Sequence, residues 1–236
     1  MSEAYAYHRR MLGEVTETWN PVIGCNHGCV YCWARRLARR LASMGVEPYA
    51  SYAFRPTFLP NRLKKRFKKG SMVFVCDMGD LFGEWVPEEW IRSVLDVVRR
   101  QPQACFMFLT KNPGRYLRLE NLFPENALLA ATIESNRDYG MSRAPKPSAR
   151  LEAMRLLKHP YKGVVVEPIM DFDECFVRAL RDVGPVFVYI GYDNYGYRLP
   201  EPPLGKTMEL TRMLRGFTEV KVGTLRTAWY ERAQGF

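Results

Sequence analysis

Histidine is scarce in this chain. His8, His27 and His159 are the only three among 236 residues and are widely separated in sequence, which argues against a histidine-built metal or catalytic constellation. Long hydrophobic runs are missing too: no apolar stretch approaches the roughly 18 uninterrupted residues of a membrane span. Met1–Arg10 has no apolar core of the kind a signal peptide requires, so a cytoplasmic protein with no membrane partner is expected. No internal repeat and no low-complexity linker divides the sequence, and at this length a single domain over residues 1–236 is expected. Six cysteines in a reducing compartment do not read as a disulfide framework, and there is no second C-x-x-C pair.

What the chain does contain is enough apolar material for one core, at 47% hydrophobic and 13% aromatic residues, which excludes global disorder. It also carries a formal net charge of +10. That excess lies between Arg35 and Lys69, where Arg35, Arg36, Arg39, Arg40, Arg55, Arg62, Lys64, Lys65, Arg66, Lys68 and Lys69 face a single acid, Glu47. A balance so basic points to a polyanionic partner such as nucleic acid. Leu59, Leu63 and Phe67 recur at helical spacing through the densest run, which predicts a helix anchored by one face. Tyr49, Tyr52 and Phe54 nearby are candidates for stacking on bases.

From Met72 onward, short β-branched and aromatic runs alternate with longer amphipathic segments. The runs 72–76, 105–109, 128–133, 163–167, 186–190 and 219–222 predict strands buried on both faces, with a shorter strand over 16–20. Helices are predicted over 33–44, 88–100, 148–158 and 175–182, the first with Leu37, Leu41 and Met44 on its apolar face. About six βα units are fewer than the eight of a closed barrel, so the fold class is α/β, an open, partial (β/α)6 barrel.

Cys25, Cys29 and Cys32 form a C-x3-C-x2-C array between the first strand and the first helix. Thiolates this close in sequence converge on an inorganic centre: zinc, which needs a fourth ligand, or an iron–sulfur cluster held by three protein ligands with one iron open. The zinc option corresponds to a non-enzymatic, zinc-stabilised nucleic-acid-binding protein. Cys76, Cys105 and Cys175 are hydrophobically embedded and expected in the core.

With Tyr31 just before its last cysteine, this array resembles the cluster motif of the radical S-adenosylmethionine (SAM) superfamily. Thr18-Trp19-Asn20-Pro21, Asp80-Leu81-Phe82, Leu109-Thr110-Lys111 and Glu167-Pro168 resemble a small phage- and prokaryote-encoded branch of it, distantly similar to spore photoproduct lyase. The resemblance implies a partial (β/α)6 barrel, a four-iron four-sulfur (4Fe-4S) cluster on Cys25, Cys29 and Cys32, and SAM chelated at the open iron. It implies reductive cleavage of SAM to methionine and a 5′-deoxyadenosyl radical that abstracts hydrogen from a substrate, with an electron donor such as flavodoxin or ferredoxin. Because spore photoproduct lyase acts on DNA, the analogy makes a nucleic acid or nucleotide the expected substrate.

Ligands of a parallel barrel lie at the carboxyl ends of its strands, so polar residues there are the candidates for SAM. Met78-Gly79-Asp80 resembles the superfamily's Gly-Gly-Glu turn, whose backbone and acid hold the SAM ammonium. Thr132, Glu134 and Asn136 alternate at period two and share one face if their strand extends that far. Glu167 closes an all-valine strand and is expected to face the cavity or pair with Lys111. Tyr31 completes the candidate set. Gly191-Tyr192-Asp193-Asn194 departs from the Gly-Gly-Glu-like turn common in that branch after the sixth strand.

Overall fold

The structure, a computed structural model, describes residues 14–231; Met1–Arg10 and His8 lie outside the described residues. In chain order the elements are β1 (Glu17–Trp19), β2 (Val22–Ile23), α1 (Trp33–Ser43), α2 (Tyr49–Tyr52), β3 (Thr57–Phe58), β4 (Met72–Val75), α3 (Glu88–Arg99), β5 (Cys105–Thr110) and α4 (Gly114–Arg118). They continue with β6 (Ala127–Thr132), α5 (Pro147–Leu156), β7 (Lys162–Val166), α6 (Cys175–Val183), β8 (Phe187–Ile190), α7 (Leu204–Leu214) and β9 (Glu219–Val222). Seven of the strands form one parallel sheet in the order β1-β4-β5-β6-β7-β8-β9. A helix lies in every crossover between neighbours, so six βα units are followed by a seventh strand. Both ends of the sheet remain unpaired among the described residues, which is the open, partial barrel that the periodicity predicts.

The strands form where the apolar runs are uninterrupted. Every residue of β6 is buried, as expected of a central strand covered on both faces. Helix α3 buries Ile91, Val94, Leu95, Val97 and Val98 against the sheet. Three helices escape the periodicity, among them the four-residue α2. The core-facing stripe of α7 carries Thr207 and Thr211 beside Leu210 and Leu214, which dilutes its apolar signal, and α4 is only five residues long. The antiparallel β2–β3 pair is likewise too short to read from sequence.

Several expectations are corrected. The run at 62–69 is not an α-helix: Pro60–Lys64 makes a 3-10 turn and the chain then extends. The Gln101 amide supplies the reason, since its oxygen accepts from Phe67 N (2.9 Å) and its nitrogen donates to Lys65 O (3.2 Å), satisfying backbone that a helix would otherwise satisfy. Phe67 inserts edge-on against Trp19 and Phe106. Helix α1 buries Ala34 and Ala38, with Leu37 and Leu41 half-buried and Met44 exposed, because the close packing of Ile23, Tyr49 and Met78 leaves room only for small side chains. Tyr49 is therefore core and Phe54 packs against it, which leaves only Tyr52 exposed of the three aromatics considered for stacking. Cys76 and Cys105 are buried as expected, but Cys175, the first residue of α6, is exposed.

The loop that carries the cysteines is clamped at its root. Asn20 joins two strand ends, its amide nitrogen donating to Asp77 Oδ1 (2.5 Å) and its oxygen accepting from Met78 N (2.9 Å). Gly24 bridges to Gly79, its N–H donating to Met78 O at 2.9 Å. Gly24 has φ +81°, and a Cβ there would overlap the backbone carbonyl of Arg55, so only glycine fits. Gly24→Ala is expected to cost about 1–3 kcal/mol and to lower the thermal midpoint by several degrees. Gly45, at φ +70° with open space around it, is the control: Gly45→Ala should cost less. Equal midpoint losses in the two variants would show that the clamp is not tight.

Candidate active site at the cysteine loop

Cys25, Cys29 and Cys32 leave the carboxyl end of β1 and run into α1, the end of a parallel barrel where ligands bind. None is in a disulfide. Two backbone donors point at sulfur: His27 N–H at Cys25 Sγ (3.4 Å) and Arg35 N–H at Cys32 Sγ (3.3 Å), where Cys32 caps α1. Burial pushes the Cys25 and Cys29 thiols up; nearby Asp80 adds to this at Cys25, while Lys111 opposes it at Cys29. Coordination is then what holds such thiols as thiolates. Among the described residues no three or more His, Cys, Asp or Glu side chains are gathered as a ready-made ion site, and this holds for Cys25, Cys29 and Cys32 as well. The donor chemistry suits a cluster with three protein ligands: three thiols on one loop, close enough that Cys29 and Cys32 both raise the Cys25 pKa, while the nearby Asp80 carboxylate is taken up by His27, Thr110, Lys111 and Phe82.

Two buried carboxylates fasten this loop to the strand ends. Asp80 accepts from His27 Nε2 (2.9 Å), Thr110 Oγ1 (2.7 Å), Lys111 N (3.0 Å) and Phe82 N (3.0 Å). Burial acts to raise its pKa, but the hydrogen bond and charge of His27, with those from Lys111 N and Thr110, outweigh it and hold Asp80 below the usual carboxylate range. Glu134 accepts from the Tyr31 hydroxyl, from Lys111 Nζ and, at 2.8 Å, from Arg150 Nη1. Lys111 also sits over the Tyr31 ring, 5.1 Å from its centroid. Here too burial acts upward, and the charges of Lys111 and Arg150 with the Lys111 and Tyr31 hydrogen bonds bring Glu134 down to about 2.

Asp80, Lys111, Tyr31 and Glu134 are therefore brought together around the cysteine loop, joined by Thr132, whose carbonyl accepts from Arg150 (2.5 Å). Met78 and Gly79 form the adjoining turn against Gly24. Asn136 is not brought in. Strand β6 ends at Thr132, the alternation stops there, and Asn136 instead accepts from Asp173 N (3.0 Å) and donates to Cys175 Sγ (3.1 Å). Glu167 does not pair with Lys111, which Glu134 claims. It makes no hydrogen bond or ion pair among the described residues, sits against Gly191 and has its pKa raised by burial.

Sequence reasoning missed His27 and Arg150. Arg150 had a signal: with Pro147, Leu151 and Met154 it occupies the buried stripe of α5, where a basic residue needs an acid. The basic segment divides between the two ends of the barrel. Arg35 and Arg36 lie in the first turn of α1, at the carboxyl end. Lys65–Lys69 is strapped by Gln101 and Gln103 to the amino ends of β4 and β5, with Lys65 paired to Glu17 (2.9 Å).

Removing the acid from the Glu134 network leaves the buried Arg150 and the partly buried Lys111 without their counter-charge, so Glu134→Gln is expected to destabilise the fold by about 3 kcal/mol near neutral pH. Because the folded pKa is depressed, the stability contributed by Glu134 is complete above about pH 4.5 and is lost as pH falls toward about 2. The gap in denaturation midpoint between parent and Glu134→Gln should narrow across that window. A gap that is absent, or that widens on acidification, would contradict the network.

Comparison with known proteins agrees with this architecture. A structure of a spore photoproduct lyase point mutant superposes with a TM-score of 0.59 over 96% of this chain and 86% of that one, at 12% identity. Spore photoproduct lyase complexed with dinucleoside spore photoproduct superposes at 0.51 over 83% of this chain and 58% of that one, at 14% identity. The likeness establishes a shared fold, the partial radical SAM barrel. Uncharacterized protein ORF301 of Acidianus two-tailed virus is 26% identical over 200 residues; the match covers 72% of this chain and 65% of the viral protein. No helix among the described residues is long and apolar enough to cross a membrane. Residues 13–172 match the family model described as Protein of unknown function (DUF5131), and the chain belongs to that family.

Proposed function

We propose that this protein is a radical SAM enzyme acting on a nucleic acid or nucleotide. The observation that carries the reading is the C-x3-C-x2-C loop, anchored by Asp80 and Glu134 at the carboxyl ends of a half-barrel that has the fold of spore photoproduct lyase. Cys25, Cys29 and Cys32 would hold a 4Fe-4S cluster, which with SAM on its open iron supplies one-electron cleavage of the sulfonium and a radical that removes hydrogen from the substrate.

The chain's own residues divide the remaining work. Asp80 and Glu134 have their oxygens occupied by protein donors, so they position the loop rather than touch the cofactor. Glu167, with no hydrogen-bond or ion-pair partner among the described residues, is the carboxylate available to the SAM ammonium, and the Met78–Gly79 backbone would contribute from its own turn. Arg150 Nε is a buried donor without an acceptor, suited to an anionic group entering beside Glu134. The 137–147 loop packs across the cysteine loop, through Val30 N to Met141 O (3.0 Å) and Arg143 N to His27 O (2.7 Å). The hollow beneath it measures only about 20 Å³, so SAM enters there only if this loop moves aside. The return of the loop would then place the reaction behind a cover that excludes water.

Anaerobically purified protein is expected to be brown and to carry about four irons and four sulfides per chain. With reductant and SAM it should release methionine and 5′-deoxyadenosine. Alanine at Cys25, Cys29 or Cys32 should abolish the colour, whereas Cys76→Ala and Cys175→Ala should keep it. Glu167→Gln should weaken SAM binding without bleaching the protein. Stoichiometric zinc with no iron after reconstitution would overturn the reading.

A further inference from the structure

The rim of the cysteine loop carries a second feature. A surface pocket of about 400 Å³, within the range that admits one small ligand, is lined by Val30, Cys32, Arg35, Arg36, Arg39 and Tyr197. Three arginines and no carboxylate line it; Arg35 donates to the Cys29 carbonyl (2.5 Å), which leaves the guanidinium groups of Arg36 and Arg39 for a ligand. Such a surface takes an anion, and guanidinium geometry favours phosphate.

One wall is aromatic: Tyr197 lines the pocket and Tyr195 stands beside it. Tyr195 lies with its ring 5.5 Å from the Arg36 guanidinium and 6.3 Å from the Tyr197 ring, and it remains 47% exposed. Its loop is held rigidly from behind: the buried Asp193 carboxylate accepts from Tyr195 N (3.1 Å) and Tyr197 N (2.6 Å), and Arg226 ties the Asp193 carbonyl (2.7 Å) to Glu201. The nearby acids are thus already occupied and do not offset the arginines. An exposed, pre-set aromatic ring next to free guanidinium groups is the arrangement that binds single-stranded nucleic acid, with bases stacked and phosphates paired. An acidic protein surface would engage the arginines but would have no use for a concave, tyrosine-walled pocket.

We infer that Arg36, Arg39, Tyr195 and Tyr197 form the binding site for a single-stranded nucleic-acid segment, phosphates on the arginines and a base on Tyr195, beside the cysteine loop. The inference rests on the proposed function for what happens to the bound strand, not for the binding. It divides the basic segment: the Lys64–Lys69 run, although denser in charge, lies at the amino ends of the strands and is not the contact surface.

The test is fluorescence anisotropy of a labelled oligothymidylate of about twelve residues on the full-length, anaerobically purified protein, over about 0.05–0.2 M salt. The Arg36→Gln/Arg39→Gln double variant should bind about tenfold more weakly, with a log-affinity versus log-salt slope shallower by about 1.4, two single-strand phosphates at roughly 0.7 each. Tyr195→Ala should bind at least about fivefold more weakly with an unchanged slope, since stacking releases no counterions. The Lys64, Lys65, Lys68 and Lys69 to glutamine quadruple variant should stay within about twofold of the parent. Retained thermal midpoints exclude unfolding as the cause. The inference is overturned if the parent does not bind, if the lysine variant alone loses affinity, or if the arginine and tyrosine variants bind as the parent does. It is also overturned if the arginine variant keeps the oligonucleotide but loses an acidic flavodoxin, which would make this a protein-docking face. SAM cleavage with unaltered oligonucleotide affinities refutes this surface alone; the expected affinities in a protein without iron refute the proposed chemistry alone.

Discussion

The seating of the cysteine loop on the strand ends depends first on the buried carboxylate of Asp80. It receives a donor from the cysteine loop (His27), one from its own turn (Phe82 N) and two from the end of β5 (Thr110 and Lys111 N). A charge this deep is unfavourable unless each lone pair is answered, and once answered it fixes the relative positions of every group that answers it. The cysteine loop, which has little regular structure of its own, thereby acquires the rigidity of the sheet. Metal-binding loops need that rigidity, because thiols that drift do not present one open coordination position.

Glu134 repeats the device on the other side. Tyr31 reaches it from the cysteine loop, Lys111 from β5 and Arg150 from α5, so one loop is held by two acids borne on different strand ends. The acids most conspicuous at the strand ends are positioning groups. Glu167, which lies against Gly191 just past β8 and has no ion-pair partner among the described residues, is the acid that the proposed function assigns to a ligand. On the proposed function, positioning and contact are performed by different carboxylates. The +10 charge is divided in the same way, with arginines at the site's rim and lysines at the far end of the sheet.

Much of this fold was legible in the sequence because parallel strands buried on both faces are written as apolar runs, and β4 to β9 all lie within a residue or so of those runs. The cysteine triad was legible from its spacing. The partners were not: His27 and Asp80 are 53 residues apart, Tyr31 and Glu134 are 103 apart, and only the order of strands in the sheet brings them together. Local pattern also misled where side chains replaced backbone hydrogen bonds, as Gln101 does for Lys65 and Phe67, turning a helical spacing into an extended strap. Asn136 was misplaced for a related reason: period-two alternation continues on paper past Thr132, where the strand has already ended.

The central claim is that three thiolates on a loop pinned by Asp80 and Glu134 present one open metal position to SAM. Mössbauer spectroscopy of iron-57-reconstituted protein, with and without SAM, addresses it most directly. A four-iron cluster in which one iron of the four changes its isomer shift on addition of SAM, while the other three do not, is the expected result. Four irons that all ignore SAM, or no cluster iron at all, would contradict it.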